Sequence, residues 1–92
     1  MAETLRPAVL LVDDEPAILR ALQRLLRRED YEILTAEDPR TALQLVAAHE
    51  VAVVISDQRM PAGTGTDLLA QVGLVSPNTV RMVLTGNTDV ET

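Results

Sequence analysis

Apolar residues along the chain follow two alternating patterns. Residues 8 to 12, AVLLV, are apolar without interruption, as expected of a strand covered on both faces in a parallel sheet. DDEP ends that run. From Pro16 the spacing turns helical: Ile18, Leu19, Leu22, Leu25 and Leu26 recur on one side, and Arg20, Gln23, Arg24, Arg27 and Arg28 take the other. Pro16 suits a first helical turn, where its missing N–H does no harm. YEILTA (31 to 36) predicts a second strand. DPRTALQLVAAHE predicts a second helix, with Asp38 as N-cap and Pro39 at the first helical position. VAVVIS (51 to 56) predicts a third strand, again apolar on both faces. After DQRMPAGTG, Thr64 and Asp67 have capping-box spacing, and Leu68, Leu69 and Val72 give a third helix one buried stripe. SPN breaks it, VRMVLT (80 to 85) predicts a fourth strand, and GNTDVET supplies an acid-rich start for a fourth helix.

Strands alternating with helices imply an α/β fold, a parallel sheet with helices on its faces joined by right-handed crossovers. No linker, repeat or low-complexity segment interrupts the 92 residues, which suffice for one small domain spanning 1 to 92. Apolar residues make up 47% of the chain, and with no Phe or Trp and only Tyr31 as an aromatic, the expected core is aliphatic.

Charge narrows the function classes. The formal net charge is −6, and all eight positive side chains are arginines. Without a basic, aromatic-rich stripe the domain lacks the electrostatic footprint of nucleic-acid binding. With no cysteine there is no disulfide or thiolate metal site, which fits a reducing cytoplasm. MAETLRP does not read as a signal peptide, and the apolar runs fall far short of the roughly 20 residues that span a bilayer, so a soluble, cytoplasmic domain with no membrane contact is expected.

The predicted strand ends carry the chemistry. In open α/β sheets ligands bind outside the carboxyl ends of the strands, near the switch in strand order. The first strand ends in Asp13 and Asp14, the third in Asp57 and the fourth in Thr85. If the first and third strands are neighbours, as in the flavodoxin-like order 2-1-3-4, three carboxylates converge. Two unit charges about 4 Å apart repel by roughly 4 kcal/mol at an effective dielectric near 20, so such a cluster calls for a proton or a cation. Carboxylates, a backbone carbonyl and waters form an all-oxygen site that suits Mg²⁺ better than Zn²⁺. A carboxylate beside that ion is a possible nucleophile towards phosphorus.

LLVDDEP after the first strand, SDQRMPAGTG after the third and VLTG after the fourth, in that order, resemble the receiver domains of two-component response regulators. The resemblance runs from about Val9 to Gly86 and implies a flavodoxin-like, doubly wound fold. It implies that Asp57 accepts a phosphoryl group from the phosphohistidine of a histidine kinase or phosphotransfer protein. Asp14 and Asp57 would bind Mg²⁺ directly, with the backbone carbonyl of Arg59 as a further ligand and Asp13 acting mainly through water. Thr85 would turn its hydroxyl onto the phosphoryl oxygen as the switch. Pro61 would shape the adjoining loop, Gly65 would relieve the turn into the third helix, and the side chains of Arg59 and Asn87 would tune the lifetime of the phosphorylated form.

The resemblance has a break. The family's fifth strand, its lysine and its fifth helix have no counterpart, and the chain contains no lysine at all. The expectation is an incomplete receiver from a longer protein with an effector domain, assisting only its own phosphorylation and dephosphorylation. Val80, Met82 and Leu84, with Val51, Val53 and Ile55 or their alternates, would leave an apolar face and an unpaired edge for homodimerisation. Other readings carry less. A phosphorylation-independent interaction module is the alternative. A phosphohydrolase of the haloacid dehalogenase type would need an Asp where Arg59 stands, and DDEPAI offers acids rather than the glycines of a dinucleotide site. His49, at the end of a helix, reads as structural, and the arginines at 20, 24, 27 and 28 as a solvated helix face; Met60 reads as a loop packing residue and Met82 as core filler.

Overall fold

The computed structural model describes residues 7–84. In chain order these form β1 (Ala8–Val12), α1 (Pro16–Leu26), β2 (Glu32–Ala36), α2 (Pro39–Ala48), β3 (Val51–Asp57), the short strands β4 (Arg59–Met60) and β5 (Gly63–Thr64), α3 (Gly65–Val75) and β6 (Val80–Leu84). The long strands make one parallel sheet in the order β2-β1-β3-β6, the expected 2-1-3-4 arrangement with β6 as the fourth long strand. Thr85, Asn87 and the acid-rich segment expected to open a fourth helix lie outside the described residues.

Two apolar layers flank the central strands. On one side Leu10, Val12 and Val54 pack with Ala42 and Val46 of α2, Leu68 and Val72 of α3, and Met60. On the other, Val9 and Leu11 pack with Leu19, against which Leu22, Leu26, Ile33, Val53 and Ile55 are partly buried. All five residues of β1 are buried, as its unbroken apolar run requires. β3 is more exposed than its sequence suggests: Ala52 is open to solvent, and Val53 and Ile55 are half-buried.

The α1 stripe is narrower than its spacing predicts. Leu19 is buried, but Leu25 is 72% exposed and Ile18 40% exposed, because little besides the sheet itself lies against this helix among the described residues. The arginines on and after α1 do form an open face: Arg20, Arg24 and the C-cap Arg27 line a shallow groove of about 540 Å³ with Tyr31 and Ile33. Met82, expected as core filler, is 48% exposed on the edge strand β6, whereas Met60 is buried. Val80 and Leu84 are also exposed, in line with the apolar edge expected there; Val51 by contrast is buried.

The starts of α2 and α3 follow their capping chemistry. The Asp38 carboxylate accepts from the Thr41 N–H at 2.8 Å, and the Thr64 hydroxyl accepts from the Asp67 N–H at 3.1 Å. His49 caps the end of α2 through its backbone N–H to the Leu45 carbonyl. Among the described residues no helix is long and apolar enough to cross a membrane.

Candidate functional site

Sheet register brings the acids together. Val12 of β1 lies opposite Ser56 of β3, so the residue that leaves β1, Asp13, emerges beside Asp57. The Asp13 N–H donates to the Ala36 carbonyl at 3.1 Å, which extends the β1–β2 ladder by one residue and holds Asp13 at the sheet edge. Asp13, Asp14 and Asp57 each present a carboxylate oxygen, and these oxygens all lie within 4.8 Å of one another. Oxygen-only donors in this number are the chemistry of a hard divalent cation, and neither His nor Cys contributes.

Asp13 does not cap α1 in the usual way. Its Oδ1 accepts from the Glu15 N–H at 2.9 Å, and Glu15 is the N-cap without a side-chain cap bond of its own. Asp13 is also the most buried of the three acids. That burial pushes its carboxyl above the usual value of 3.8; the negative charges of Asp57, Asp14 and Glu15 push the same way, and the Glu15 N–H bond opposes them. The charged form of Asp13 is therefore under strain that a cation would relieve.

Behind Asp57 the chain turns back on itself within DQRMPAGTG. Arg59–Met60 and Gly63–Thr64 pair as a small antiparallel hairpin, with Pro61 and Ala62 at its tip. Gly63 has φ 150°, a conformation a side chain would resist. Pro61 thus shapes a hairpin tip, and Arg59, exposed, stands in the first residue of the hairpin.

Two residues that sequence reasoning passed over hold this region. Ser56, fully buried, donates its hydroxyl to the Asp57 carbonyl at 2.8 Å. Gln58 accepts at its backbone carbonyl from the Gly65 N–H at 3.0 Å, and at Oε1 from the Thr66 N–H at 2.8 Å and the Thr66 hydroxyl at 2.9 Å. Periodicity could not flag either one, since both read as ordinary polar residues around an acid. Gly65 does more than ease a turn. A Cβ there would fall inside van der Waals contact of the Asp57 carbonyl oxygen and 3.0 Å from Ser56 Oγ, so only glycine lets α3 start this close to the end of β3.

The chain matches a family model described as the response regulator receiver domain over residues 9–92. The chain belongs to that family. This receiver domain is 41% identical over 83 residues to the hydrogenase transcriptional regulatory protein HoxA of Cupriavidus necator, covering 90% of this chain and 17% of that protein. It is similar to the signal receiver domain of an HD domain-containing protein from Pseudomonas fluorescens Pf-5, with 43% identity and a TM-score of 0.87, covering 97% of this chain and 65% of that one. It is also similar to the chemotaxis protein CheY4 of Vibrio cholerae, with 33% identity and a TM-score of 0.85, covering 92% and 72% of the two chains. The receiver thus spans a small part of the full-length regulator it matches. Its family serves two-component signalling and is not, in general, a family of catalytic enzymes.

Proposed function

We propose that this receiver accepts a phosphoryl group on Asp57 from a histidine kinase or phosphotransfer protein, with Mg²⁺ held by Asp13, Asp14, Asp57 and the backbone carbonyl of Arg59. The observation that carries the reading is the convergence of three carboxylate oxygens within 4.8 Å at the ends of β1 and β3. A carboxylate oxygen of Asp57 forms the new O–P bond as the P–N bond of the donor phosphohistidine breaks, and the electron pair of that bond stays on the imidazole nitrogen. Bound Mg²⁺ supplies neutralisation of the charge that the entering phosphoryl oxygens bring to the acids. Asp14 and Asp57 would hold the ion directly, and Asp13 would act mainly through water. Thr85 follows Leu84, the register partner of Asp57, and supplies the switch hydroxyl.

The domain assists only its own phosphorylation and dephosphorylation, and works in the cytoplasm as one receiver unit, residues 1–92, of a longer protein with an effector domain. It does not itself contact nucleic acid or membrane. The exposed side of β6 serves self-association. Incubating the full parent protein with acetyl phosphate and Mg²⁺ tests the central step. Mass spectrometry should show one phosphoryl group, absent from Asp57→Asn; phosphorylation that persists in that variant refutes the assignment. A second reading is an interaction module that works unphosphorylated. Unchanged partner affinity in Asp57→Asn is the result that would select it.

A further inference from the structure

We infer that Gln58 is a positioning residue: a latch between the end of β3 and the first turn of α3 that sets the mutual placement of Asp57 and the Arg59 carbonyl. The inference rests on the reading of the acidic cluster as a Mg²⁺ site. One residue separates Asp57 from Arg59, so the backbone of Gln58 lies directly between the two proposed ligands, and rotations there shift one relative to the other. That residue is held at both ends. Its carbonyl takes the Gly65 N–H at 3.0 Å, and its side-chain Oε1 takes the Thr66 N–H at 2.8 Å and the Thr66 hydroxyl at 2.9 Å.

A helix leaves its first N–H groups without intrahelical partners. In α3 those of Gly65 and Thr66 both go to Gln58, and that of Asp67 goes to Thr64 Oγ1. The residue next to the acceptor carboxylate therefore closes the chain around residues 59–64, the hairpin that begins with Arg59. The Gln58–Thr66 bonds are exposed and outside the apolar core, so they are placed to govern local geometry rather than global folding. Partners that orient metal ligands typically change affinity 10- to 100-fold when removed, and a latch acting through the backbone belongs at the lower end, about tenfold.

Amide chemical-shift titration with Mg²⁺ tests this, paired with urea unfolding in EDTA. Gln58→Met, which keeps length but removes the acceptor, should bind Mg²⁺ about tenfold more weakly, with its EDTA unfolding midpoint close to that of the unaltered chain. Thr66→Ser, which keeps both donors, should bind as the unaltered chain does. Unchanged Mg²⁺ affinity in Gln58→Met overturns the latch. A loss of affinity that merely follows a lower unfolding midpoint also overturns it, because that is what a purely structural role produces. If the unaltered chain shows no Mg²⁺ binding sensitive to Asp57→Asn, the reading of the acidic cluster fails, and the latch fails with it.

Discussion

Gly65 sits against the backbone carbonyl of Asp57 so closely that no other residue fits without moving one of them. The start of α3 and the end of β3 are thereby locked together just behind the acids. Gly65→Ala forces the helix away from the strand. Overpacking at such a contact costs about 1–3 kcal/mol. Urea unfolding should show a loss of that size, and the Mg²⁺ affinity of the folded fraction should fall as well.

Asp13→Asn separates stability from metal binding. It removes the most buried charge of the cluster and keeps an oxygen that can accept from the Glu15 N–H. The metal-free protein should become more stable, read as a higher urea midpoint in EDTA, while the stabilisation that Mg²⁺ confers on the unaltered protein shrinks.

The pH dependence follows from two shifts of opposite sign. The raised carboxyl of Asp13 means the native state holds its proton more tightly than the unfolded chain. Its contribution to metal-free stability is fully present below 3.8 and is lost as pH rises through the folded-state value. The Asp38 carboxyl is held below 3.8, chiefly by the Thr41 N–H, so its contribution is present above 3.8 and lost as pH falls through its lower folded-state value. Urea midpoints in EDTA should therefore fall with rising pH just above 3.8 to an extent that Asp13→Asn removes, and the acid-side decline should be smaller in Asp38→Ala.

Thr79 tests the far end of the sheet. It is buried, its hydroxyl donates to the Val51 carbonyl at 2.7 Å, and it lies 2.6 Å from Ser76 Oγ. Thr79→Val leaves that buried carbonyl without its partner, at a cost of about 1–3 kcal/mol, whereas Thr79→Ser should lose much less. Equilibrium unfolding distinguishes them, and the Mg²⁺ affinity of both should match the unaltered chain because the acids stand at the opposite edge.

Self-association should depend on β6. Val80, Met82 and Leu84 are 56%, 48% and 43% exposed on a strand whose outer edge is unpaired among the described residues. Light scattering at micromolar concentration should show dimers or larger species of the 92-residue chain, and Met82→Glu should shift the distribution to monomer. A clean monomer for the unaltered chain would count against the β6 surface.

Much of this was legible in one dimension. The uniform apolar run of β1, the proline-led starts of α1 and α2 and the capping residues Asp38 and Thr64 are local signals, and the elements formed where they stand. The three acids could be picked out because parallel strands end at one edge, a rule of topology rather than of detail. Leu25 and Met82 show where such reasoning stops. Their spacing marks them as apolar-face residues, but burial depends on whether another element arrives to cover them, and periodicity carries no information about that.

By itself, then, the sequence determined the alternation of strands and helices and set acids at the strand ends, and the resemblance to receivers implied the sheet order in which they meet. Only the tertiary structure decided how that meeting is held: Asp13 strained by burial, Gly65 lying on the Asp57 carbonyl, Ser56 and Gln58 fastening the residues on either side of the acceptor. The reason is physical. Element formation follows from propensity and period along the chain, whereas desolvation, close approach and side-chain hydrogen bonds arise between residues that the fold alone brings within a few ångströms.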